Sequence, residues 1–140
     1  MDDTAEEIHR GGHRKFVGGD GDYWNRVSGL QFDFLVAQGL QPADTFIDVA
    51  CGSLRGGIKF IDYLKPEHYL GIDKHIELII YGVAEELSIE KFREKRPKFV
   101  VSDRFEFSKF GRAPTFGIAS LYSRTSPQPT SPTASQICTR

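Results

Sequence analysis

Asp48 lies near the end of the apolar run Thr45-Phe46-Ile47-Asp48-Val49-Ala50, and Asp73 ends the next such run, Tyr69-Leu70-Gly71-Ile72. Asp103 follows a third run, Phe99-Val100-Val101. Between the first two acids sits a turn of small residues, Ala50-Cys51-Gly52-Ser53, continuing into Leu54-Arg55-Gly56-Gly57. A small-residue turn lets backbone N–H groups approach a ligand closely, and a helix that starts there adds a positive dipole end. A carboxylate such as that of a bound amino acid suits that place. In doubly wound folds an acid at the end of the second strand accepts hydrogen bonds from ribose hydroxyls. An acid after the third strand is placed to meet an adenine amino group. Plainer readings stay open: Asp48 capping backbone groups, Asp73 favouring the following helix through its dipole, and Ser102-Asp103 as a simple turn. The ordered recurrence of acids favours a nucleoside-containing ligand over these.

Positioning such acids requires alternating strands and helices. Trp24, Val27, Leu30, Phe34 and Leu35 recur at helical spacing, which predicts a helix over 23–38 closed by Gly39. Strands are predicted over 45–50, 69–73, 99–101 and 115–119, from length and β-branching. Ile58, Phe60, Ile61 and Leu64 mark a short helix ending before Pro66, and Ile76, Ile79, Ile80, Val83 and Leu87 mark another. Strand, helix, strand, helix, strand implies right-handed crossovers and a doubly wound, mostly parallel α/β sheet with helices on both faces.

The 140 residues suffice for one small domain, with 39% hydrophobic and 26% charged residues and a formal net charge of −1. That balance gives no basic field for nucleic acid or an anionic membrane. Apolar runs are too short for a membrane span, and the acidic N-terminus is unlike a secretory signal. Cys51 and Cys138 sit in contexts that suggest no disulfide, so a cytoplasmic, reduced protein is expected. Cys51 reads as a small buried residue. His9, His13, His68 and His75 show no ligand spacing and read as surface residues, and Phe105, Phe107 and Phe110 read as packing.

The run F-I-D-V-A-C-G-S-L-R-G-G, followed by Y-L-G-I-D-K-H and F-V-V-S-D-R-F-E-F, resembles class I S-adenosylmethionine-dependent methyltransferases. The upstream R-K-F-V-G-G and Q-F-D-F-L-V-A-Q-G-L-Q-P fit the same group, so the likeness spans roughly 13–119. The resemblance implies S-adenosylmethionine as cofactor and methyl transfer to an acceptor that the sequence does not identify. The implied site takes Asp48, Ala50, Cys51, Gly52, Ser53 and Arg55 from the turn, with Asp73, Lys74 and Asp103 from the later strand ends. Asp48 and Gly52 would line the methionine end, Arg55 would pair with the cofactor's carboxylate, Asp73 would hold the ribose and Asp103 the adenine. Ala50 and Leu54 stand where the family's D-x-G-x-G-x-G turn has glycine. Two other readings remain: a non-catalytic nucleoside-ligand-binding module and an inactive methyltransferase fragment. A nicotinamide-dependent dehydrogenase is disfavoured because no G-x-G-x-x-G follows the first strand.

The chain divides into a polar, glycine-rich arm (1–22), the α/β segment (23–119) and a tail (120–140). Twelve of the 21 tail positions are Ser, Thr or Pro, and no acid occurs after Glu106. The arm reads as irregular and mobile, with Tyr23 and Trp24 as a lid over a nucleoside, and the tail reads as disordered. Restoring one base before codon 120 converts one coding of S-L-Y-S-R-T-S-P into Q-S-L-F-T-H-L-T, closer to the family's usual continuation. A frameshift is therefore expected to have replaced the second half of the fold. A half-sheet of that kind would expose an unpaired edge and favour aggregation or a partner.

Overall fold

The computed structural model describes residues 3–17, 21–120 and 135–139. Its strands are β1 (Phe46–Val49), β2 (Tyr69–Asp73), β3 (Lys98–Val101), β4 (Phe116–Ser120) and β5 (Ser135–Thr139). They form one sheet in the order β3-β2-β1-β4-β5. Pairing is parallel from β3 through β4, with Asp48 level with Gly71 and Asp73 level with Val101. Only β5 runs antiparallel, against β4. This is a Rossmann-like α/β sheet, and strand order reverses between β1 and β4, where such folds open a crevice for ligands.

The helices are α1 (Asp3–Gly11), α2 (His13–Val17), α3 (Gly21–Ala37), α4 (Gly57–Tyr63), α5 (Ile76–Tyr81) and α6 (Ile89–Lys95). A turn of π-helix, Gly82–Leu87, continues α5, and a 3₁₀ turn occupies Phe107–Phe110. Alternation along the strands separates two apolar faces. Phe46, Tyr69, Cys51 and Ile118 join Leu35, Phe60, Ile61 and Ile79 in the larger core, under α3, α4 and α5. Ile47, Leu70 and Ile72 point the other way and pack with Phe110 of the 3₁₀ turn. Helices thus lie on both faces, unequally. Crossovers from β1 to β2 to β3 move in one direction and share a face, whereas the jump from β3 to β4 must cross the opposite one.

The strands and α3 fall within a residue or two of their predicted spans. Two expectations change. The arm is not irregular: α1 and α2 dock on the molecule, with Ile8 and His13 buried. The tail expected to be disordered contributes β5, which covers the outer edge of β4, while 121–134 lie outside the described residues. Among the described residues no helix is long and apolar enough to cross a membrane.

Candidate functional site

The turn after β1 holds three left-handed residues within five positions. Ala50, Gly52 and Leu54 take φ of 58°, 54° and 68°, a region that costs a side-chain-bearing residue about 1–2 kcal/mol. Alternate left-handed residues make the chain double back tightly against β2, where the Cys51 amide donates to Ile72 O at 3.1 Å. The π-helical turn presses on the same corner. A Cβ at Gly82 would stand 2.7 Å from the carbonyl carbon of Ser53, so only glycine permits the approach.

Asp73 holds this turn from the next strand. Its Oδ2 accepts from Gly52 N at 2.8 Å and its Oδ1 from His75 N at 2.8 Å. Each oxygen keeps a second lone pair. Asp48 is buried beside it, and Tyr69 donates its hydroxyl to Asp48 Oδ2 at 2.6 Å. Burial raises the Asp48 carboxyl to about 7; the Tyr69 hydrogen bond opposes the rise, Asp73 adds to it and Arg55 opposes it. Burial likewise pushes the Cys51 thiol up, with Asp48 and Asp73 adding to the effect. Cys51 is therefore a protonated, buried thiol and not a nucleophile. Arg55 is buried, its basicity lowered by burial and restored in part by Tyr23 and Asp48. Among the described residues its guanidinium has no hydrogen-bond or ion-pair partner.

Asp48, Cys51, Gly52, Ser53, Arg55 and Asp73 are thus gathered, all buried, at the carboxyl ends of β1 and β2, with Ala50 part-buried among them. Lys74 and Asp103 stand at the same edge with exposed side chains. Asp103 is carried there by the Ser102 amide, which donates to Asp73 O at 3.0 Å and extends the β2–β3 pairing. Among the described residues no group of three or more metal-ligating side chains occurs.

A second cluster is absent from the sequence reading. His13 of α2 is buried, not on the surface: its Nδ1 bonds the Ser53 hydroxyl at 2.8 Å, and its Nε2 lies 3.1 Å from Glu85 Oε2. Arg14 bonds both oxygens of Glu86 at 2.7 Å. The wider π-helical turn presents two successive acids to α2. His13 also stacks on Tyr81 and meets Trp24 edge-on, while the Arg14 guanidinium lies 4.8 Å over the Trp24 ring. The arm roofs the turn: Val17 would meet a Cβ at Gly52 at 3.4 Å, and Phe16 packs edge-on against His75. Trp24, expected in a lid, is instead buried beneath this roof, and Tyr23 is exposed.

Fold and site together define a Rossmann-like α/β protein whose sheet edge carries two adjacent buried carboxylates. No protein-family model and no curated protein matches this sequence.

Proposed function

We propose that the chain binds S-adenosylmethionine across the carboxyl ends of β1 and β2 and is the cofactor-binding part of a methyltransferase. The observation that carries this reading is the turn. Residues 50, 52 and 54 take left-handed backbone at the spacing where that family has glycine, although two of the three are not glycine. Ala50 and Leu54 depart from the pattern, and the backbone at both is nonetheless in the left-handed region that glycine enters most easily.

The residues present fit the group. Asp73 retains one lone pair on each oxygen to accept from ribose hydroxyls, and its bonds to two amides hold the carboxylate still. The Gly52 amide is committed to Asp73, so it orients the acid rather than meeting the ligand. Asp73 gives the corner a negative field suited to a cationic ligand, and Asp48 adds to it once the pH exceeds about 7. In this reading Arg55 takes the ligand carboxylate, and Asp103, exposed beyond the end of β3, takes the adenine amino group. When bound, S-adenosylmethionine supplies a sulfonium methyl for in-line displacement by an electron-rich acceptor. The protein's share is positioning and charge placement.

Binding without transfer is the second reading. It is favoured by the engagement of both buried acids, Asp48 by Tyr69 and Asp73 by two amides, which leaves neither placed as an acceptor-side base. Calorimetry on the full chain with S-adenosylhomocysteine tests the site, and a transfer assay from methyl-labelled S-adenosylmethionine into cell extract tests the activity. Saturable binding that weakens at least tenfold in Asp73→Ala, with unchanged circular dichroism, is expected. Unchanged affinity in that variant removes the ribose assignment, and binding without label transfer selects the second reading. No binding at all overturns both.

A further inference from the structure

On α3, Tyr23, Leu30 and Phe34 are 40%, 61% and 47% exposed, and half-buried Val27 lies between them. Their spacing of four, three and four residues sets all four on one narrow face of the helix. The helix packs on the molecule through a different face, that of Trp24, Ser28 and Leu35. An exposed row of aromatic and aliphatic side chains marks an interaction surface, and this spacing is the seam of a two-stranded coiled coil. Charge singles out the partner. Arg26 and Asp33, both exposed, each precede a residue of the row, Val27 and Phe34, so they flank it on one side. They stand about 10 Å apart along the axis, and neither has a hydrogen bond or ion pair among the described residues.

We propose that this face of α3 is the interface of a two-fold symmetric dimer, packed antiparallel against α3 of a second copy. A two-fold contact uses the same patch on both subunits, so the patch must complement itself. When two helices pack antiparallel about such an axis, one flank of the seam meets the same flank of the partner, running the other way. With the axis beside Leu30, Arg26 of each copy falls beside Asp33 of the other, and Val27 beside Phe34. Both ion pairs and the apolar row are thereby matched in a single register. A parallel pairing instead carries Arg26 and Asp33 to the opposite flank, where Trp24 and Gln31 offer no charge. Flanking charges of this kind set helix orientation. The inference is independent of the cofactor reading, since none of these side chains belongs to that site.

Sedimentation velocity on the full chain tests the dimer. One helix pair lies at the low end of interface sizes, so a reversible monomer–dimer equilibrium in the micromolar range is expected. Phe34→Asp and Leu30→Glu, at exposed positions, are expected to weaken it at least tenfold with unchanged circular dichroism. Arg26→Glu sets two acids against each other across the axis, and Asp33→Lys sets two cations. Each is expected to weaken self-association several-fold at low salt. Mixed together, the two variants are expected to pair with each other at least as tightly as the wild type, because Glu then faces Lys and Arg faces Asp. A chain that stays monomeric throughout overturns the proposal and leaves the row to a different partner. A dimer indifferent to Phe34→Asp, assembly that continues past the dimer, or a mixture that recovers no pairing overturns it equally. Phe34→Asp also supplies the monomeric background in which association through any other surface is read.

Discussion

Asp48 ties the chemistry of the corner to the stability of the chain. In the unfolded chain its carboxyl loses its proton near 3.8, and in the folded protein burial holds the proton to about 7. Between those values the native state binds more protons than the unfolded one, so stability falls as pH rises through the window and levels off above it. Three units correspond to about 4 kcal/mol. The expected result is a melting temperature that declines from pH 4 to pH 7, and a flat profile for Asp48→Asn, whose amide oxygen still accepts from Tyr69. At pH 8 the variant is expected to be the more stable of the two, as judged by thermal melts monitored by circular dichroism. A parallel decline in both proteins would assign the slope to other groups. The placement of Asp48 and Asp73 at adjacent strand ends follows from their places in apolar runs and is legible in the sequence. The burial of His13 was not, because its partners Ser53 and Glu85 lie 40 and 72 positions away and no local pattern joins them.

The turn after β1 shows how far spacing alone carries. Its small residues and flanking strand announce a tight strand-to-helix connection, and Ala50 and Leu54 stand where the resembled turn has glycine. The backbone nonetheless keeps left-handed φ at both. Leu54 is completely buried in the larger core, and its packing offsets the strain. Ala50 is only part-buried and has no comparable anchor. Ala50→Gly is therefore expected to stabilise the fold by about 1 kcal/mol, whereas Leu54→Gly is expected to destabilise it by at least 2–5 kcal/mol through the lost side chain. Urea unfolding of both variants checks the opposite signs. Gly82 adds a third case: with the Ser53 backbone 2.7 Å from any added Cβ, Gly82→Ala must push the π-helical turn off the corner and disturb the Glu85 and Glu86 contacts to α2. The π-helical turn itself had no signature, since Ile76, Ile79, Ile80, Val83 and Leu87 read as one regular helix. The arm hides its docking for a related reason: its glycines and charges suggest solvent until Glu85, Glu86 and Ser53 are brought to it by the fold.

Both ends of the described chain cover surfaces that the central sheet cannot cover itself. At one end α1 and α2 close the roof over the β1–α4 turn, and at the other β5 pairs with the outer edge of β4. The expectation of an open half-sheet rests on a frameshift replacing the second half of the fold and on a tail whose composition reads as disordered, and composition is a poor guide to edge pairing. An edge strand draws on backbone amides and carbonyls, which every residue except proline supplies in full. Ser135–Thr139 contains no proline, and its register sets Phe116 opposite Thr139 and Ser120 opposite Ser135. Five residues of antiparallel ladder thus stand between β4 and any other strand, including the β4 of a second copy. A chain shortened to end at Ser120 leaves unpaired those amides and carbonyls of Phe116–Ser120 that face β5, while the pairing with β1 and the larger core stay intact. Such a chain is expected to fold and then self-associate edge to edge, with light scattering that rises with concentration and a melting transition that becomes concentration-dependent. Substituting Ile118→Lys in the shortened chain does not separate the effects, because Ile118 is buried in the larger core. Replacing Ala119 by proline does: it removes an edge amide from the ladder and should suppress the association. A shortened chain that stays monomeric at the melting temperature of the full chain would show that β5 protects nothing.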